Sequence, residues 1–99
     1  MLINNTEVNY YCNFKELSIK KAKEIFMINC MPTTLLTHRI IPHMLKRNQK
    51  SAIINLSSQA AEMTIKRQAL FCGTKRYIDY FSRSLAEEFR NKIDILSFK

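Results

Sequence analysis

Apolar positions along this 99-residue chain fall into five blocks whose spacing alternates between strand and helix periods. Met1-Leu2-Ile3-Asn4 is a short apolar run that ends in polar Asn4-Asn5-Thr6, the pattern of a buried strand reaching the rim of a sheet. After a loop through Tyr10, Tyr11 and Asn13, Ser18 can cap a helix in which Ile19, Ala22, Ile25 and Phe26 recur at helical spacing. The same pattern resumes in Leu35, Leu36, Ile40, Met44 and Leu45, which predicts a single long helix. Pro32 interrupts it: proline has no N–H for the carbonyl of Ile28, so a kink is expected near Asn29. Pro42 does the same to His38.

Asn48-Gln49-Lys50-Ser51 closes that helix as a polar loop, and the β-branched stretch Ala52-Ile53-Ile54-Asn55-Leu56-Ser57 reads as the second strand. Residues 58–68 show no period and form a loop where a site can open. Ile78, Phe81, Leu85 and Phe89 lie on one stripe of a helix from about Ala69 to Arg90, and Ile93 to Phe98 is the last strand. Strand, helix, strand, helix, strand requires parallel pairing and crossovers, so the fold class is α/β: a βαβαβ unit with a three-stranded parallel sheet and two long helices. Both helices should cover one face, leaving the other face of a sheet that carries Ile53, Leu56, Ile93 and Ile95 without a partner in this chain. That makes residues 1–99 the central part of a larger doubly wound domain.

Composition narrows the function classes. Lys and Arg number 16 against 8 Asp and Glu, a net charge of +8, but the basic residues are scattered in pairs such as Lys20-Lys21 and Lys75-Arg76. Net charge alone, without aromatic interleaving or a recognised module, does not make a nucleic-acid partner, and none is expected. Three cysteines, Cys12, Cys30 and Cys72, form no disulfide framework, and a reducing, intracellular compartment is expected. No apolar run approaches the length of a membrane span, so no transmembrane segment is expected. His38 and His43 are five apart, on different helix faces, so no metal site is expected either. A single glycine, Gly73, excludes a glycine-rich phosphate loop within these residues.

One constellation carries chemistry. Positions 71 and 75 stand over each other at the start of the last helix. Ser58, thirteen residues before Phe71 and just past the middle strand, can approach them, because ligands of open α/β sheets bind beyond the carboxyl ends of strands. Asn29, at the expected kink, is a fourth polar candidate. Taken singly, Ser58 reads as a strand-end serine bonded to loop backbone, Lys75 as an ordinary early-helix lysine, and Cys72 as a small buried side chain.

Taken jointly, "NLSSQAA", "FCGTK", "MINC" and "INNTE" resemble the motifs of the short-chain dehydrogenases/reductases: a serine, a Tyr-x-x-x-Lys thirteen residues on, an asparagine in a long helix, and an Asn-Asn-Ala-Gly segment. "RIIPHMLKRNQKSAIINLSS" and "YIDYFSRSLAEEFRNKIDILS" resemble more narrowly the branch of 17-beta-hydroxysteroid dehydrogenases and very-long-chain 3-oxoacyl-CoA reductases. The resemblance spans nearly the whole chain but only the middle of the family's domain. It implies a partial Rossmann-like fold, NADP or NAD as cofactor near Asn4 and Lys75, and oligomers through the two long helices. It also implies a cytoplasmic location, with the endoplasmic reticulum or mitochondria as further compartments.

In that family a hydride from NAD(P)H attacks a carbonyl and the tyrosine gives the oxygen its proton. The lysine lowers the tyrosine pKa and binds the nicotinamide ribose, the serine steadies the carbonyl, and the asparagine holds a relay water. By position, the resemblance assigns Asn29, Ser58 and Lys75 to those roles and places Phe71 where the tyrosine would stand. A phenyl ring has no proton to give, and this transfer is typically worth about 10²–10⁴-fold in rate. Glu7 stands in place of the motif's glycine, and the glycine-rich cofactor segment and the C-terminal substrate segment lie outside these residues. Two readings stay open: an inactive, truncated dehydrogenase relative that acts through subunit or partner packing, and a fragment of an oxidoreductase that reduces the keto group of a steroid or 3-oxoacyl-CoA.

Overall fold

A computed structural model describes residues 1–99. Strand β1 (Leu2–Asn4) leads into helix α1 (Ile19–Asn29), helix α2 (Met31–Leu45), strand β2 (Ser51–Leu56), helix α3 (Ala69–Glu88) and strand β3 (Ile93–Phe98). Single 3-10 turns lie at Phe14–Glu16 and Gln59–Ala61. The strands pair in the order β1-β2-β3, all parallel, with Leu2 beside Ile53 and Ile53 beside Ile95. The expected α/β unit is therefore present.

The single long helix is not. Ser18 starts α1 as expected, its hydroxyl accepting from the Lys21 N–H at 3.1 Å. The helix then breaks at Cys30, and Pro32 stands in the first turn of α2 rather than in the interior of one rod. The reason is local: a proline in a first turn leaves no helical acceptor unserved, so starting a new helix there costs less than carrying a kink. The break falls next to Asn29, where the kink was expected. Pro42 has less effect, since α2 runs on to Leu45.

The core is small. Ile41, Met44, Ile53, Ile93 and Ile95 form its buried cluster, with Leu2, Ile40, Leu85, Ala86 and Phe89 packed against it. Ile53, Ile93 and Ile95 thus point at the helices, and the face opposite them is the one left without a partner. Strand alternation puts their neighbours on that face: Ile3, Leu96 and Phe98 are exposed, and Ile54 and Leu56 are half-buried. One side of the sheet is covered and the other is bare.

Half of the twenty buried residues are polar or charged, so hydrogen bonds must satisfy much of the interior. They do: no buried side-chain nitrogen or oxygen lacks a partner. Asn4 Nδ2 donates to Asn55 Oδ1 at 2.7 Å and to Thr37 Oγ1 at 3.4 Å, and Asn55 Nδ2 donates to Ser82 Oγ at 2.9 Å. This ladder runs from β1 through β2 to α3. The buried face of α3 is accordingly Thr74, Lys75, Ile78, Asp79 and Ser82, while Phe81, Leu85 and Phe89 of the apolar stripe are only half-buried.

Candidate functional site

Lys75 lies in the second turn of α3 and turns inward over the carboxyl end of β2. Its residue is only 3% exposed, far below the usual state of a lysine, so its ammonium must find partners within the protein. It finds two: the carbonyl of Leu56 at 3.3 Å and a carboxylate oxygen of Glu7 at 3.0 Å. The Phe71 ring, one turn earlier, lies with its centroid 5.6 Å from the ammonium nitrogen, within cation–π range. Residues 71 and 75 therefore share a face, as their spacing predicts. The atom that would carry a transferable proton is absent from it.

Asn29, the last residue of α1, is 2% exposed and points at the loop that follows β1. Its Oδ1 accepts from the Val8 N–H at 2.7 Å, and its Nδ2 donates to the Val8 carbonyl at 2.9 Å and to Thr74 Oγ1 at 3.2 Å. One side chain thus clamps the peptide on both sides of Val8 and ties it to the residue beside Lys75. Further bonds strap the same loop down: Asn9 Nδ2 donates to Gln68 Oε1 at 2.9 Å, and the Cys12 N–H donates to the Arg67 carbonyl at 3.3 Å. Tyr10 Oη donates to Glu24 at 2.5 Å, a bond that raises its pKa.

Ser58 behaves differently from the other candidates. Its hydroxyl accepts from the Ala60 N–H at 2.9 Å and so caps the 3-10 turn that it precedes. The neighbouring Ser57 makes the bond to α3, donating to the Lys75 carbonyl at 2.9 Å. The sequence places Ser57 at the end of the strand and singles out Ser58 by its spacing to Phe71, and gives no sign that Ser57 is the one bonded to α3. Asn4, expected near a cofactor, spends its amide group on Asn55 of β2 and Thr37 of α2.

No other hydroxyl takes the place missing at Phe71. Tyr77 Oη pairs with Thr34 Oγ1 at 2.6 Å and its ring stacks on Phe81, while Tyr80 Oη accepts from Arg76 at 2.7 Å. Cys30 is buried close enough for Lys75 to be felt: burial pushes its thiol pKa up and the lysine charge draws it partly back. No cluster of three or more His, Cys, Asp or Glu side chains is placed to hold a metal ion. No helix is long and apolar enough to cross a membrane.

Two depressions flank the start of α3. The one between Tyr10, Leu17, Ile25 and Phe71 has a volume of about 50 Å³, against roughly 300–1,000 Å³ for common ligand pockets. The other is a solvent-open groove of about 900 Å³ between residues 60–65 and Ala69, Cys72, Gly73 and Arg76 of α3. It opens beside the aperiodic loop, where a site was expected. As arranged, the residues do not fit a nicotinamide nucleotide: the Lys75 ammonium is already held by a carboxylate and a carbonyl, and the Asn4 amide is taken up by Asn55 and Thr37 beneath the helices.

Known proteins share this frame. The family model described as short chain dehydrogenase matches residues 1–98. Inactive hydroxysteroid dehydrogenase-like protein 1 of Homo sapiens is 35% identical over 94 residues, covering 93% of this chain and 28% of the relative. The very-long-chain 3-oxoacyl-CoA reductase of Homo sapiens is 29% identical over 97 residues, covering 93% of this chain and 30% of the relative. The chain thus spans less than a third of the length of these curated relatives. A 4-hydroxyisoleucine dehydrogenase solved with NADH superposes with a TM-score of 0.89 at 21% identity, over 97% of this chain and 43% of that one. A tyrosine-to-phenylalanine variant of ElxO with NADPH bound superposes with a TM-score of 0.89 at 24% identity, over 97% of this chain and 39% of that one. The three-stranded sheet is thus part of a Rossmann fold, and this chain belongs to the short-chain dehydrogenase family.

Proposed function

We propose that this chain is a catalytically silent relative of the hydroxysteroid dehydrogenase and 3-oxoacyl-CoA reductase branch, and that it acts by packing against a complete subunit or another partner. One observation carries the reading: one turn before Lys75 on α3 stands the Phe71 ring, its centroid 5.6 Å from the ammonium nitrogen, where a general acid would need a hydroxyl. A general acid has to sit within hydrogen-bond reach of the oxygen it protonates, and a phenyl group cannot do so. Packing is supported by the apolar side chains that α1 and α2 leave exposed, among them Phe26, Met27, Leu35 and Leu36. In this reading Asn29, Ser58 and Lys75 are inherited catalytic positions and Asn4 an inherited cofactor position.

The alternative, a fragment of an active NAD(P)H-dependent reductase of steroid or 3-oxoacyl-CoA ketones, is favoured by one fact. The ElxO variant shows that a phenylalanine can coexist with bound NADPH in a protein of this fold. Nucleotide binding and turnover therefore need separate measurement. Purified chain is expected neither to quench NADPH fluorescence nor to reduce a 3-oxoacyl thioester or a steroid ketone. An in-frame glycine-rich strand-turn-helix upstream of Met1 in the transcript would favour the active-reductase alternative.

A further inference from the structure

We propose that Glu7 is an intramolecular ligand of Lys75: its carboxylate fills the place beside the ammonium that a nucleotide ribose would need, and converts a binding lysine into the anchor of the strap formed by residues 5–13. The inference deepens the reading of the chain as a catalytically silent dehydrogenase relative and rests on it.

Three observations converge. The ammonium has three donors, and the Glu7 carboxylate at 3.0 Å and the Leu56 carbonyl at 3.3 Å take two of them; the lysine end of the pair is buried, while the Glu7 side chain is half-exposed and forms its outer edge. The Glu7 backbone is not free to swing aside, because the next residue, Val8, is held through both its N–H and its carbonyl by buried Asn29. The carboxylate also neutralises the positive charge that Lys75 would otherwise offer a ligand, so a nucleotide hydroxyl would have to displace an ion pair to reach the ammonium. Burial of Lys75 makes the pairing consequential: a buried charge that loses its counter-ion keeps the full cost of desolvation. Exposed pairs of the same length contribute little.

The test uses the full chain in two measurements. In a double-mutant cycle on thermal unfolding, Glu7→Gln and Lys75→Met each lower the midpoint by roughly 5–10 °C, and the double variant falls no further than Lys75→Met alone. Losses that simply add would overturn the pairing. In the other measurement, Lys75 is labelled with an amine-reactive reagent and read by mass spectrometry, which needs only wild type and Glu7→Gln and so stands even if Lys75→Met fails to fold. Labelling is slow in wild type and about tenfold faster in Glu7→Gln, because the pair closes the opening through which reagent enters. Equal rates in the two proteins would overturn the proposal, and so would protection of wild-type Lys75 by millimolar NADH. Ketone reduction by the wild type would refute catalytic silence while leaving the result of the cycle intact, so the two failures are distinguishable.

Discussion

At the scale of single residues, chemistry in this chain turns on one absent oxygen and one added carboxylate. Phe71 cannot donate a proton, and the Glu7 carboxylate pairs with the Lys75 ammonium one turn along from it. Phe71→Tyr alone is therefore expected to leave ketone reduction undetectable in an NADPH-consumption assay; turnover in that variant would show that the pairing of Lys75 matters less than claimed. Asp79 offers a separate test. Burial pushes its pKa up, but the hydrogen bond from Ser97 Oγ at 2.7 Å and the charges of Lys99 and Arg83 outweigh burial and hold it below the ordinary value. A carboxylate depressed in the folded state stabilises fully above its unfolded pKa and loses that contribution as pH falls through the folded one. Between about pH 5 and pH 3 the unfolding midpoint of wild type should thus fall more steeply than that of Asp79→Asn. Parallel curves would remove Asp79 from the acid limb.

At the scale of elements, the periods of the apolar positions made three strands and the start and end of each crossover legible, because those depend on spacing and local caps alone. The Ser18 cap is an example: its residue type and its place before a helical run suffice. The break at Cys30 was legible only as a kink, since tertiary contacts decide whether a proline bends one helix or opens another. The buried polar face of α3 was hidden for a different reason. Thr74, Asp79 and Ser82 are polar and lie off the apolar stripe, and nothing in the sequence sets Asn29, Ser97 and Asn55 opposite them. The 71–75 spacing and Asn29 were legible through motif positions, whereas the roles of Ser57 and Val8 were not, because backbone partners leave no trace in residue type. Asn55 carries the test at this scale. Asn55→Ala removes one bond each from Asn4 and Ser82, which keep Thr37 and the Ile78 carbonyl as partners, and should cost roughly 1–3 kcal/mol in denaturant unfolding. A cost below about 1 kcal/mol would mean that the ladder is dispensable.

At the scale of the whole molecule, the sheet is covered on one side only, and Ile3, Leu96 and Phe98 stand exposed on the other. A parallel sheet ordinarily has both faces covered, and this chain spans less than half of the solved relative it superposes on. The helix side carries another exposed apolar surface at Phe26, Met27, Met31, Leu35 and Leu36. Packing through the helices predicts association that depends on concentration in sedimentation velocity. Replacing Leu35 and Leu36 together by lysine should shift the chain toward monomer with little change in its unfolding midpoint, because both side chains already face solvent. Association unchanged by that double replacement would move the contact to the bare sheet face. Catalytic silence is tested most directly by following NADPH consumption by purified wild-type chain with a 3-oxoacyl thioester or a steroid ketone. The predicted rate equals that of the reaction without protein, and a protein-dependent rate that disappears in Lys75→Met would contradict the account.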